Sequence, residues 1–291
     1  MVYNKYMNNQ TYHTNSSAGL MGREDLPELC QAIIDRIPLD QLLSFKRLLD
    51  VGCGYGGISK AYIRRVEPFI GLDEALSRIW LIDSHIACVN RCRRFHFKNV
   101  IHADFLSWNP NMNFDVVIGN PPYGNNGSLA VKFINKAAEL SDYVLFVLPK
   151  SMNKVSRMNR VTTSLRLTFN EDLPGDTFPR GIGAVVQKWE NTGVKREKIE
   201  TLTSHSDFTF TSREDSSHCI CRVGAAVGKG FRTYDNRSVN THFMMKVANA
   251  GVVENLDAIQ DELIKAGHAF SNGIPSLAKH DLISIYQKTY G

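Results

Sequence analysis

The chain has 291 residues, and its 43% apolar content can bury one large core and a smaller second one. No apolar run approaches the roughly 20 residues of a membrane helix, and the polar first 20 residues lack a signal-peptide pattern, so we expect a cytoplasmic protein without membrane contact. The net charge of +5 does not by itself indicate nucleic acid, and the spacing of the six cysteines predicts free thiols.

The first 22 residues are rich in Asn, Tyr, Ser and Thr and have no hydrophobic period, which predicts a flexible arm. A helix should follow, with Asp25 as its cap and Glu28 completing a capping box. Apolar residues recur at helical spacing up to Pro38, where this helix should end.

Residues 47–51 predict the first buried strand, and a glycine-rich turn with Gly52 and Gly54 leads from it into a helix that ends near Val66. Such a turn lets a ligand approach the backbone closely. Its pattern, Gly-x-Gly-x-Gly-Gly, differs from the Gly-x-Gly-x-x-Gly of dinucleotide sites, so the turn alone leaves the ligand open.

A short helix is predicted for residues 67–77, and residues 78–82 predict a second strand that ends in Asp83. A carboxylate there can accept hydrogen bonds from both hydroxyls of a ribose. Asp83 follows the glycine turn by about 30 residues, which is the spacing of a βαβ unit. Asp73 is the rival acid, but it lies in the preceding helical stretch. We therefore favour Asp83.

His85, Cys88, Cys92 and His96 follow at spacings that place all four on one face of a helix. A single straight helix cannot surround zinc tetrahedrally, because successive turns separate the ligands by ~5.4 Å. We favour a buried face that packs on the sheet, and the same reasoning applies to residues 218–221. No metal site is predicted.

A third strand is predicted for residues 99–102, followed by Asp104 and Phe105. An acidic side chain at this strand end can accept from the amino group of a bound adenine while the neighbouring aromatic ring packs on it. Each residue alone is ordinary, and it is their adjacency that indicates a site.

The apolar run 114–119 predicts a buried strand, and Asn120, Pro121, Pro122 and Tyr123 come directly after it. Open α/β sheets bind ligands at the carboxyl ends of their strands. The prolines remove two donors, so the Asn120 amide oxygen and the Pro121 carbonyl form a wall of acceptors suited to an NH2 group. The Tyr123 ring can stack on a planar base. We predict that these four residues form the catalytic centre.

Four motifs, at residues 48–56, 79–83, 103–106 and 120–123, resemble in content and order the amino-methyltransferases that use S-adenosylmethionine. Within them the sequence is similar to N6-adenine DNA methyltransferases with an N-terminal catalytic half, over about its first 190 residues. The resemblance implies a Rossmann-like, doubly wound α/β sheet and S-adenosylmethionine as cofactor. Asp25-Leu26 departs from it, because family members have Thr-Pro there. The cofactor contacts are expected from Asp50, Gly52, Gly54, Asp83, Asp104 and Phe105.

Beyond the tetrapeptide, a helix (129–140) and strands (143–148 and 184–189) continue the α/β alternation. The resemblance makes Phe178 the candidate for the second wall of the base pocket. A change of pattern after Glu190 predicts a catalytic domain at 23–193 and a smaller β-rich, α+β target-recognition domain at 194–291, with helices at 252–266 and 276–290.

Two stretches, 150–166 and 222–246, carry five basic residues each against a single acidic residue in the second. They could follow a phosphate backbone, although a solvated surface is the alternative. The predicted backbone contacts are Lys150, Lys154, Arg157, Arg160 and Arg232.

The sequence thus predicts methyl transfer to the N6 amino group of adenine in double-stranded DNA, with the base flipped out. A monomer is expected, and any restriction endonuclease of a restriction-modification pair should be on a separate chain. Three alternatives stay open: a glutamine N5 methyltransferase acting on a protein, an RNA N6-adenine methyltransferase, and a non-catalytic nucleic-acid binder.

Overall fold

The computed structural model describes residues 27–124, 127–174, 183–232, 236–270 and 274–291. The predicted arm, the cap residue Asp25 and the pocket candidate Phe178 lie outside the described residues, as does the side chain of Glu28.

A seven-stranded sheet forms the larger part of the protein. Its strand order is β3-β2-β1-β4-β5-β7-β6, and all strands are parallel except β7, which runs antiparallel to both neighbours. This confirms the predicted doubly wound α/β fold. The strands are β1 (Leu48–Val51), β2 (Ile79–Asp83), β3 (Asn99–His102), β4 (Val116–Gly119), β5 (Tyr143–Pro149), β6 (Leu165–Asp172) and β7 (Ala184–Asn191).

Helices cover both faces of this sheet and bury two apolar clusters. One includes Ile33, Tyr62 and Leu76, and the other includes Phe133 and Trp189. Because both faces are covered, β1, β4 and β5 are buried at every position, which explains why their sequences are apolar except for Asp50 in β1. The helices are α1 (Pro27–Asp35), α2 (Leu39–Ser44), α3 (Gly57–Ile70), α4 (Leu72–Arg78), α5 (Ile86–Arg94), α6 (Ser128–Ala137) and α7 (Val155–Met158).

The chain order reverses at β1, which lies between β2 and β4. Gly119, the last residue of β4, is very close to β1, since a Cβ atom there would lie 2.6 Å from the Val51 carbonyl oxygen. A side chain at this position would force the strand ends apart. The close approach therefore places the carboxyl ends of both strands beside each other, at the point where open α/β sheets bind ligands.

A smaller antiparallel sheet follows, with the order β10-β9-β11-β8, and it confirms the predicted β-rich C-terminal part. Three helices pack on it around a third cluster, which includes Phe208, Met245, Leu263 and Tyr286. The elements are β8 (Phe208–Phe210), β9 (His218–Cys221), β10 (Gly230–Phe231), β11 (His242–Val247), α8 (Ala250–Ala258), α9 (Gln260–Ala269) and α10 (Lys279–Tyr290). The helix expected at 252–266 is in fact two helices, because the buried Ile259 leaves the helical conformation between them.

The segment between the two sheets is held to the larger one by Arg196. Its guanidinium donates to the carbonyl oxygens of Met158 (2.6 Å), Val161 (2.8 Å) and Leu165 (3.0 Å). This side chain therefore fastens the start of the second unit to the end of α7 and the start of β6. The predicted division at residues 193 and 194 stays a prediction.

All six cysteines lie in the described part of the chain, and none is in a disulfide. No helix within the described ranges is long and apolar enough to cross a membrane.

Candidate active site

The glycine-rich turn after β1 is anchored on the end of β2. The Gly52 amide donates to the Ile82 carbonyl (2.9 Å), and the Gly54 amide donates to Oδ2 of Asp83 (2.9 Å). Both glycines have positive φ angles, 64° and 55°, which L side chains rarely adopt. The turn therefore has a defined shape, and its glycines carry no side chain that would keep a ligand away from the backbone.

Asp83 is the residue that organises this region. Its carboxylate is 8% exposed, and its second oxygen, Oδ1, accepts from the backbone amide of His85 at 2.8 Å. Since a carboxylate offers about four lone-pair positions, capacity for ribose hydroxyls remains. The rival, Asp73, makes an exposed ion pair with Lys98 at 3.1 Å. The geometry thus keeps Asp83 as the better candidate.

Asp50 lies beneath the turn. It is 1% exposed, and its Oδ2 accepts from the hydroxyl (2.6 Å) and the backbone amide (3.2 Å) of Ser59 in α3. Through Ser59 this carboxylate joins β1 to α3, and its expected contact with a cofactor stays a prediction. Ser59 is not among the residues that the motifs indicate. Its position in the first turn after the glycines is the signal that points to it.

Asp104 and Phe105 are adjacent in sequence but differ in environment. Asp104 is exposed, and its Oδ1 accepts from the Leu106 amide at 3.0 Å, so the carboxylate remains accessible. Phe105 is 3% exposed and packs on Phe133, with ring centroids 5.2 Å apart. The expected packing of Phe105 on a cofactor ring is therefore corrected, because its faces are already covered by the core.

The tetrapeptide lies beside the glycine turn. Asn120 is half-buried and follows β4 directly, as predicted. A Cβ atom at Gly52 would lie 3.9 Å from Cδ of Pro122 and 4.0 Å from Cα of Pro121. The structure thus brings together two motifs that are about 70 residues apart in the sequence.

Tyr123 is half-buried and fixed at both ends. Its carbonyl oxygen accepts from the amides of Leu129 (3.1 Å) and Ala130 (3.3 Å), in the first turn of α6. Its hydroxyl donates to Oδ1 of Asn120 at 3.1 Å. Burial raises the pKa of this hydroxyl, so it stays protonated and acts as a donor near neutral pH.

Lys154, one of the five predicted phosphate contacts, has a different partner. Its Nζ donates to the carbonyl oxygen (3.1 Å) and the hydroxyl (2.6 Å) of Ser276, and burial lowers its pKa. The expected phosphate contact is therefore corrected. This lysine joins the segment after β5 to the C-terminal unit, because its charge is directed inward.

The other four basic residues fall into two pairs. Lys150 and Arg232 already contact carboxylates, Asp172 at 2.6 Å and Asp257 at 3.2 Å. Arg160 is exposed, and the half-buried Arg157 has its Nε hidden from solvent without a hydrogen-bond partner among the described residues. Burial, then the charge of Arg160, lowers the Arg157 pKa. An anion could contact the exposed guanidinium of Arg160 and the accessible part of the Arg157 side chain, so these two arginines are kept as candidates for phosphate contacts.

The four candidate zinc ligands are not on one helix face. Cys88 and Cys92 lie on the buried side of α5, whereas His85 precedes the helix and His96 follows it with a φ angle of 64°, and both histidines are exposed. Within the described ranges no three His, Cys, Asp or Glu side chains are grouped so that they could hold a metal ion.

Comparison with known families gives one match, the family described as methyltransferase small domain. The match extends over residues 12–162, just over half of the chain. The chain belongs to this methyltransferase family. Its cofactor is S-adenosylmethionine, and the glycine turn, which contacts Asp83 and lies beside the tetrapeptide, has the side-chain-free backbone that fits such a ligand.

Several solved structures are similar to parts of this chain. A protein from Thermoplasma acidophilum is 18% identical, with a TM-score of 0.44, and the match covers 57% of this chain and 86% of that one. A Listeria monocytogenes protein described as a class I S-adenosylmethionine-dependent methyltransferase is 16% identical, with a TM-score of 0.49, and the match covers 64% of this chain and 66% of that one. A modification subunit of a type I restriction enzyme from Vibrio vulnificus is 14% identical, with a TM-score of 0.48, and the match covers 60% of this chain and 46% of that one.

This chain therefore matches less than half of the Vibrio vulnificus subunit. Similarities of this size do not indicate a substrate. No curated protein matches the sequence.

Proposed function

We propose that this methyltransferase modifies the N6 amino group of adenine in DNA. The observation that supports this most is the position of Asn120, which directly follows β4 beside the glycine turn, where a Cβ atom at Gly52 would lie 3.9 Å from Cδ of Pro122 and 4.0 Å from Cα of Pro121. The Asn120 amide oxygen and the Pro121 carbonyl are the two expected acceptors. An exocyclic amine has two N–H donors and needs two acceptors. The site therefore suits the chemistry of an NH2 group on a planar ring.

The residues of the site would act mainly by position. The Asn120 amide oxygen and the Pro121 carbonyl each accept a hydrogen bond from one N–H of the amine. These two hydrogen bonds favour a more tetrahedral nitrogen, whose lone pair is directed toward the methyl group and no longer delocalised into the ring. Tyr123 holds the base by stacking, which requires that the base leaves the duplex. The cofactor supplies an electrophilic methyl group when bound, held by the backbone of the glycine turn, Asp83 and Asp104. The methylated nitrogen carries a positive charge and is strongly acidic, so it loses its extra proton to water, and no strong base is needed.

Nucleic acid is favoured over protein as substrate by the surroundings of the site. Arg157 and Arg160 carry positive charge on the segment that follows β5, whose carboxyl end neighbours that of β4. As part of this proposal, residues 194–291 recognise the target sequence in the DNA. Lys150 and Arg232 can also contact phosphates if these replace Asp172 and Asp257 as their partners, since ion pairs at the surface are weak.

The test is incubation of the protein with S-adenosylmethionine labelled in its methyl group and with duplex DNA, RNA or protein in parallel. Digestion and mass spectrometry should show N6-methyladenine in DNA. Asn120→Ala should lower the transfer rate by ~100-fold or more. Asn111→Ala is the matched control, because this exposed asparagine precedes β4, at the opposite end of the strand. Label in glutamine or only in RNA would refute the proposal.

A further inference from the structure

Asn120 and Tyr123 are linked across the two prolines of the tetrapeptide. The Tyr123 hydroxyl donates to Oδ1 of Asn120 at 3.1 Å, and Oδ1 is the atom that the proposed function assigns to the substrate amine. The ring of Tyr123 has a separate task, since stacking uses its face and not its hydroxyl. One side chain therefore reaches both the base and the acceptor.

We propose that the Tyr123 hydroxyl is a positioning residue for methyl transfer, which holds the Asn120 amide with its oxygen toward the substrate amine. This inference rests on the proposed function, and it assigns to the hydroxyl a role that stacking does not require. An amide can present either its oxygen or its NH2 group to a substrate. A donor that engages Oδ1 selects the orientation in which the acceptor is available.

The link leaves room for the substrate. A carbonyl oxygen has two lone pairs, so Oδ1 can accept from the hydroxyl and from the substrate N–H at the same time. Pro121 and Pro122 have restricted φ angles, which limits how far the two linked residues can move apart. The acceptor is thus aligned before the substrate arrives, and less conformational entropy is lost in reaching the transition state.

The hydroxyl acts from a firm support. The Tyr123 carbonyl oxygen receives two amides from the first turn of α6, and α6 is anchored by Ala130, Phe133 and Ile134 in the apolar cluster on its side of the sheet. A continuous series of contacts therefore runs from the core to the acceptor atom. Removal of the hydroxyl interrupts the contact with Asn120 and keeps the aromatic ring and the backbone hydrogen bonds of residue 123.

The test is a double-substitution cycle with four proteins: the unsubstituted enzyme, Tyr123→Phe, Asn120→Ala and the combination. Single-turnover transfer to an adenine duplex is measured for each. Tyr123→Phe should lower the rate about 3- to 10-fold, as expected for one neutral hydrogen bond. In the Asn120→Ala background the same change should have no further effect, because the hydroxyl acts only through that amide.

Base capture and folding are measured alongside the rate. A duplex with 2-aminopurine at the target position should give the same binding constant and fluorescence increase with Tyr123→Phe as with the unsubstituted enzyme. The control is Tyr143→Phe, since the Tyr143 hydroxyl is buried in β5 without a hydrogen-bond partner among the described residues. This control should leave the transfer rate unchanged.

Two results would overturn this inference but not the proposed function. One is an unchanged transfer rate for Tyr123→Phe, and the other is an equal loss of rate when Tyr123→Phe is made in the unsubstituted enzyme and in Asn120→Ala. Weaker capture of 2-aminopurine by Tyr123→Phe would overturn it as well, because the hydroxyl would then act in base holding. A failure of the unsubstituted enzyme to methylate adenine in DNA would instead refute the proposed function, and this inference with it.

Discussion

Replacement of Asp83 by asparagine tests how the cofactor turn is held. The two carboxylate oxygens accept from the backbone amides of Gly54 (2.9 Å) and His85 (2.8 Å). Asparagine has the same shape but only one acceptor atom, so its NH2 group would face one of these N–H donors. Loss of a hydrogen bond to a charged group costs about 1.5–3 kcal/mol. The expected ribose contact also becomes weaker, because the charge is lost.

We expect Asp83→Asn to weaken S-adenosylmethionine binding by about 2 kcal/mol or more, which is roughly a 30-fold rise in Kd. Titration calorimetry measures this directly, and thermal unfolding shows whether the fold persists. Asp73→Asn is the matched control, because this exposed acid pairs with Lys98 on the surface and should not affect binding. Unchanged affinity in Asp83→Asn, or an equal loss in the control, would refute the reasoning.

Three further predictions concern the substrate, the connection between the sheets and pH. Arg157→Ala with Arg160→Ala should lower DNA affinity across sequences and flatten its salt dependence in fluorescence anisotropy, whereas Lys154→Ala should not change that slope. Arg196→Ala should lower the free energy of unfolding in urea by about 2 kcal/mol, because three carbonyl oxygens lose a charged donor. Burial lowers the pKa of His218 below its ordinary 6.5, so the unfolded chain binds the proton more readily. Stability should therefore fall as the pH drops below 6.5, and His218→Gln should make this fall shallower. An unchanged salt slope in the arginine variant, an unchanged urea midpoint or an unchanged pH dependence would contradict the respective prediction.

The large sheet and the position of its site could be predicted from local sequence. The strands β1, β4 and β5 are buried on both faces, and a strand without a solvent face is apolar except where a polar side chain finds a partner, as Asp50 of β1 does in Ser59. Glycine permits the positive φ angles that the turn after β1 needs, and two successive prolines restrict the backbone whatever surrounds them. The order of these features along the chain therefore indicated the doubly wound fold and placed Asn120 at a strand's carboxyl end.

Edge elements were harder to predict. The strand β6 was not predicted, although its alternation of apolar and polar residues from Leu165 onward is the pattern of a half-buried strand. It follows a basic stretch and lies at the edge of the sheet, where only one side pairs with a neighbour. Its identity as a strand depends on β7, which comes later in the chain.

The environment of individual side chains was decided only by the tertiary structure. Phe105 looks like a ligand contact in sequence, but Phe133 covers it. Lys154 looks like a phosphate contact, yet Ser276, 122 residues further along the chain, accepts its hydrogen bonds. Residue type and spacing determine the backbone and the chemical groups available, whereas burial and hydrogen-bond partners depend on which distant segments fold against each position.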